Sequence, residues 1–120
     1  MKKTILIICL IFFYNSSAQD VSCDDYIDFI KTKGYYSTSL NSYTLDSSWL
    51  YKVTKYTYEY NNYVIVEIKE NEYSYTTRKY IYCGISSTHW SSFQYGGYGD
   101  SESYGKRFLK YIDPYKCNCY

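Results

Sequence analysis

Hydrophobic and polar positions along this chain follow two different periods. Between positions 22 and 33, Cys23, Tyr26, Ile27 and Ile30 recur at i, i+3, i+4 and i+7, one face of a helix. Ser22 stands at the N-cap, Asp24 and Asp25 put negative charge in the first turn, and Ser22-x-x-Asp25 has capping-box spacing. Val21 and Tyr26 are spaced for a hydrophobic staple. Lys31 and Lys33 favour the C-terminal end, and Gly34 suits the position just past it. Positions 35–48 are rich in Ser, Thr and Asn and read as a connector.

From Trp49 the period is two, and positions 49–58, 63–69 and 72–77 read as three strands. A three-residue loop Tyr60-Asn61-Asn62, with Asn62 left-handed, sets Tyr58 opposite Val64, Tyr56 opposite Val66 and Lys55 opposite Glu67. A two-residue loop at Asn61-Asn62 sets Thr57 and Glu59 against Val66 and Val64 instead. The first register is preferred, because a one-residue slip turns a whole face over. A turn at Glu70-Asn71 then sets Ile68 opposite Tyr73 and Val66 opposite Tyr75. One face carries Tyr56, Tyr58, Val64, Val66, Ile68, Tyr73 and Tyr75. The other carries Lys55, Thr57, Ile65, Glu67, Ser74 and Thr76, the pattern of a sheet covered on one side. A β-bulge near Thr54 reconciles apolar residues at odd positions upstream (Trp49, Tyr51, Val53) with those at even positions downstream.

Positions 78–87 fit either a short helix or an extended continuation, with Ile81, Cys83 and Ile85 partly buried. Positions 86–100 read as a glycine-containing loop. Positions 103–113 form a second helix with a stripe of Tyr104, Phe108, Tyr111 and Ile112, ended by Pro114. The expected fold is α+β: a three-stranded antiparallel meander, one face covered by an N-terminal and a C-terminal helix, stabilised by disulfides.

The first residues change the compartment. Lys2 and Lys3 precede an apolar run from Ile5 to Tyr14, too short to span a bilayer, and small residues Ser16, Ser17 and Ala18 follow. Residues 1–19 therefore read as a secretory signal peptide, and the chain as exported to a bacterial periplasm or secreted. Ile8 is too large for the small residue a lipoprotein signal places before its cysteine, so Cys9 is not read as a lipid anchor. No later stretch is long and apolar enough to cross a membrane. Without Lys2 and Lys3, 11 Lys and Arg stand against 12 Asp and Glu, so the formal net charge changes from +1 to −1. A near-neutral surface lacks the field that steers nucleic acid, which weighs against that partner.

Cys23, Cys83, Cys117 and Cys119 remain, an even number in a small exported domain, and read as disulfides. A Cys117–Cys119 bridge would close a very small, strained ring. Cys23 and Cys83 therefore each pair with one member of the C-terminal pair, in either order.

A family pattern runs through the rest. It comprises Ser47 and Ser48 with Leu50 and Val53, then Val64-x-Val66-Glu67-Ile68-Lys69, a Tyr-x-Tyr motif at Tyr73 and Tyr75, and Ser103-x-Gly105-x-x-Phe108-x-x-x-Ile112. In this order, positions 47–115 resemble the KTSC domain. That short module is named for its occurrence at the C-terminus of some lysyl-tRNA synthetases and also occurs alone in small bacterial proteins. Positions 86–100 resemble an insertion, while the N-terminal helix and connector (20–46) and the cysteine-containing tail (116–120) fall outside the pattern. The resemblance implies a fold and, from the role usually suggested for the family, RNA binding as an alternative function.

Three constellations are candidate sites. Tyr73 and Tyr75 could stack bases, but the register points them into the core beside Val66 and Ile68. Cys83 with His89 has the residue types of a thiol hydrolase, an alternative that a disulfide at Cys83 would remove. One histidine with Cys-x-Cys does not match a zinc finger, and neither metal nor cofactor is expected. His89, Trp90, Phe93, Tyr95 and Tyr98 form an aromatic cluster in the 86–100 loop, the candidate binding surface for a protein or a glycan. The expected function is binding rather than catalysis.

Overall fold

The computed structural model describes residues 21–97 and 101–120. The segment at 1–19 that reads as a signal peptide, Cys9 and Tyr98 lie outside the described residues. The fold is α+β, built on a four-stranded antiparallel sheet of order β1-β2-β3-β4: β1 (Tyr35–Leu40), β2 (Leu50–Tyr58), β3 (Asn61–Lys69) and β4 (Thr77–Cys83). Helix α1 (Cys23–Lys33) precedes the sheet, α2 (Ser42–Leu45) joins β1 to β2, and α3 (Ser87–Tyr95) and α4 (Tyr104–Tyr111) follow β4.

Helix α1 forms where its periodicity places it. The Ser22 hydroxyl accepts from the Asp25 N–H at 3.1 Å, and Ile27 and Ile30 are buried, each contributing about 1.5–3 kcal/mol. Gly34 is not left-handed; it is extended at φ −81°. Its value is close approach, because a Cβ there would meet the Ile30 carbonyl oxygen at 2.7 Å.

The connector at 35–48 contains two elements instead. Residues 35–40 pair with β2 from Tyr35↔Thr57 to Leu40↔Val53, with a bulge between Tyr36 and Thr38. Asn41 caps α2 by accepting from the Thr44 N–H, and Leu45 is buried. The Ser/Thr composition hid an edge strand whose partner, β2, lies downstream across α2.

The β2–β3 hairpin turns earlier than the pattern suggests, and Tyr58 pairs three residues before Val64. Glu59 and Tyr60 form the loop, both left-handed at φ 48° and 67°. The register is then Tyr58↔Asn61, Tyr56↔Tyr63 and Lys55↔Val64, and Glu67 faces Lys52 rather than Lys55. This odd shift puts Tyr56 and Tyr58 on the face opposite Val64 and Val66. The bulge in β2 lies between Leu50 and Lys52, upstream of Thr54.

The third strand is displaced as well. Residues 72–76 are a turn, closed by Ser74 N–H to the Asn71 carbonyl and by Tyr73 N–H to the Asn71 side chain. Residues 77–83 form β4, setting Val66 opposite Tyr80 and Val64 opposite Tyr82. Tyr73 and Tyr75, expected in the core, are 87% and 101% exposed. Asn71 supplies an Asx turn, which the alternating tyrosines mask.

Helices cover both faces of the sheet, not one. Val53, Val64, Val66 and Tyr82 pack on α2, α3 and α4 through Leu45, Trp90, Phe93 and Phe108, joined by Ile85 before α3 and Ile112 just past α4. On the reverse face, Ile65 and Ile81 pack on Ile27 and Ile30 of α1. The sheet is thus the middle of three layers.

The 86–100 loop contains a helix. Ser86 caps α3 by accepting from the His89 N–H, and Trp90 and Phe93 are buried. The last helix is α4, capped by Ser103, followed by a 3-10 turn at Asp113–Tyr115. Gly105 admits Trp49: a Cβ there would meet the indole Nε1 at 2.9 Å.

The C-terminal tail is tied to the start of α1 and to β4. Disulfides join Cys23 to Cys119 and Cys83 to Cys117, which settles the pairing that spacing left open. Cys23 N–H donates to the Tyr120 carbonyl, and Tyr120 N–H to that of Val21.

Candidate binding site

The residues brought together are not those of the 86–100 cluster. Trp90 and Phe93 belong to the core, where their rings contact each other and Phe93 meets Tyr104 and Phe108. Tyr95 remains exposed. His89 lies between the rings of Tyr111 and Tyr115, at 6.2 and 5.0 Å, with its buried Nδ1 making no hydrogen bond. A helical period places Trp90 and Phe93 on one inward face, so the cluster is divided between core and surface.

Cys83 is bonded to Cys117, so it offers no thiol nucleophile to His89. Among the described residues no group of three or more His, Cys, Asp or Glu is placed to hold a metal ion. Among them too, no helix is long and apolar enough to cross a membrane.

An aromatic groove lies on the α1 face instead. Val21, Asp25, Tyr26, Phe29 and Ile30 line one wall, and Tyr58 and Tyr63, from either arm of the hairpin, line the other. Its volume is about 410 Å³, within the usual range for small-molecule sites. The odd hairpin register builds it, because that register turns Tyr56, Tyr58 and Tyr63 toward α1. Phe29 meets Tyr58 edge-on at 5.2 Å and 89°, and Tyr26 meets Tyr63 at 5.9 Å and 51°. Tyr36 and Tyr56 extend the aromatic band, their rings 6.2 Å apart. Phe29 is 44% exposed and Val21 40%, so apolar surface faces solvent here.

Burial and a hydrogen bond with the Tyr63 hydroxyl push the Tyr26 phenol up to about 12. Burial, then the adjacent Glu59 carboxylate, raises Tyr58. On the other side of the sheet, burial and the Asp113 carboxylate, which accepts from the phenol at 3.3 Å, raise Tyr82 well above its ordinary value. Sequence reasoning placed Tyr26 and Tyr58 on apolar faces, assigned Tyr63 to no face and passed over Phe29. The helical spacing of Tyr26, Phe29 and Ile30 was the available signal.

Arg107 was also passed over. It is buried on α4, and its Nε donates to the Phe93 carbonyl at 2.8 Å. Its second donor group reaches the Glu102 carbonyl, and the guanidinium lies 4.3 Å from the Tyr104 ring centroid. It satisfies a carbonyl in the last turn of α3 and so ties the two helices together.

No family model, no curated protein and no solved structure matches this chain.

Proposed function

We propose that this chain is an exported binding module that takes its ligand in the aromatic groove between α1 and the β2–β3 hairpin. The observation that carries this reading is four aromatic side chains around one half-open space, with apolar surface left uncovered at its rim. Export rests on the signal-like segment at 1–19, and the two disulfides support it. NMR titration of the oxidised mature chain with saccharides, short peptides and small organic solutes tests the location. Shifts should centre on Val21, Tyr26, Phe29, Tyr58 and Tyr63. Shifts confined to the cleft between Ser47 and Lys106 would place the site elsewhere.

We further propose that the KTSC resemblance is carried by Tyr80 and Tyr82, not Tyr73 and Tyr75. The same Tyr-x-Tyr spacing recurs there inside a strand. Tyr82 packs edge-on against Phe108 at 5.4 Å, and Phe108 meets Trp49 at 5.7 Å. Gly105 lies against that indole, so the separated parts of the pattern converge on one core.

The nucleic-acid alternative has less support. Lys31, Lys52 and Lys79 do gather on the α1 face, and burial followed by the Lys79 charge lowers Lys31. Glu67, however, sits between Lys52 and Lys79 in the strand register.

A further inference from the structure

Charge distinguishes the aromatic groove from its neighbours. Four other clefts each contain a cation in their lining: Lys69 and Arg78, Lys106, Arg78 with Lys79, and Lys79 with Lys116. The groove's lining has four rings, one carboxylate (Asp25) and no cation. No described residue forms an ion pair with Asp25.

The charged side chains that flank Asp25 on α1 are acidic. Asp24, Asp25 and Asp28 place three carboxylates on the N-terminal half of α1. The helix N-terminus opposes them with about half a positive charge, which they outweigh. Glu59, whose charge helps raise the Tyr58 phenol, adds a carboxylate at the hairpin end. The rings meet at 89° and 51°, so neither pair is stacked face on face. A ring face is the negative end of the aromatic quadrupole. Unstacked rings beside a carboxylate disfavour an anion and suit a cation whose own surface is apolar.

We propose that the groove binds an organic ammonium group, a compact alkylated cation of the kind choline carries. The inference rests on the groove being the binding site.

The test is calorimetric and NMR titration of the mature, oxidised protein with choline and with 3,3-dimethylbutan-1-ol, its uncharged isostere. Choline should shift the ring signals of Tyr26, Phe29, Tyr58 and Tyr63. It should bind about five- to thirty-fold more tightly than the isostere, the range from an exposed to a desolvated cation–π contact. Asp25→Asn should weaken choline binding several-fold and leave the isostere unchanged. That variant should keep its fold and lose at most a few degrees of melting temperature, because the Ser22 cap uses the Asp25 backbone N–H and only the first-turn charge is removed. Phe29→Ala should weaken both ligands. Equal binding of choline and its isostere, or an Asp25→Asn variant that binds choline like wild type, would overturn the ammonium assignment and leave the groove standing. Ring signals unmoved by choline, by the isostere and by the wider solute panel would remove the groove itself. Sedimentation with phosphatidylcholine vesicles, competed by free choline, marks a lipid headgroup as the source. Choline binding without sedimentation marks a free solute.

Discussion

Replacing Phe93 with alanine removes a ring that is 0% exposed and in contact with the rings of Trp90, Tyr104 and Phe108, at 5.5, 5.7 and 6.3 Å. Truncating a buried phenylalanine costs about 3–5 kcal/mol through lost burial and the cavity left behind. Whole-domain stability is about 5–15 kcal/mol, so the loss is a large fraction. At about 4–8 °C per kcal/mol for a domain of this size, the melting temperature should fall by roughly 12–40 °C. Tyr75→Ala is the paired control. Its side chain is fully exposed in the turn before β4, and such surface changes stay within about 0.5 kcal/mol, or a few degrees. Thermal and urea unfolding of the oxidised mature chain, followed by far-ultraviolet circular dichroism, measures both. The alternating pattern alone orders the two variants the other way, with Tyr75 in the core and Phe93 in a loop. A sharp fall for Tyr75→Ala with an unmoved Phe93→Ala would restore a strand at 72–77 and refute both the register and the helix at 87–95.

Gly105→Ala should destabilise despite the roughly 1 kcal/mol that alanine normally gains over glycine in a helix, because the added methyl meets the Trp49 ring; urea melts should show a net loss of about 1–3 kcal/mol. Thiol titration of the unfolded, unreduced mature protein should find no free thiol. Removing the Cys23–Cys119 bridge, which spans 96 residues, should cost about 4.7 kcal/mol in the chain-entropy model, against about 3.8 kcal/mol for Cys83–Cys117, which spans 34. Tyr60→Gly should raise stability by about 0.5–1 kcal/mol, since relief of a left-handed backbone worth about 1–2 kcal/mol exceeds the extra freedom glycine has when unfolded; a lower melting temperature would contradict the two-residue turn. The Tyr26 phenol is raised from 10.0 to about 12 on folding, so its contribution to stability is complete below pH 10 and lost as pH climbs toward 12. Absorbance titration at alkaline pH should show a late-ionising class of tyrosines that is smaller by one in Tyr26→Phe.

Local signals were legible where local physics decides. The Ser22 cap, the acidic first turn and the inward Ile27 and Ile30 locate α1 without reference to the rest of the chain. Ser103 and the stripe through Phe108 and Ile112 likewise locate α4. The pairing of Cys23 and Cys83 with the C-terminal cysteines follows from the strain of a Cys117–Cys119 ring, but which cysteine meets which depends on where α1 and β4 lie relative to the tail.

Strand register depended on the tertiary structure. With 20 tyrosines in 120 residues, almost any odd or even alignment of β2 on β3 offers an apolar face, because tyrosine suits a core and a surface alike. The turn at Glu59 and Tyr60 breaks the tie, at positions whose residue types do not announce a left-handed backbone. That turn directs Val64 and Val66 toward α3 and α4, and Tyr58 and Tyr63 toward α1. The groove follows from this choice. Its walls come from residues far apart in sequence, and only the packing of α1 across the sheet brings Tyr26 and Phe29 against the hairpin. Side-chain period two reports that a strand has two faces; which face is covered, and by what, is set by the long-range burial that selects among near-equal registers.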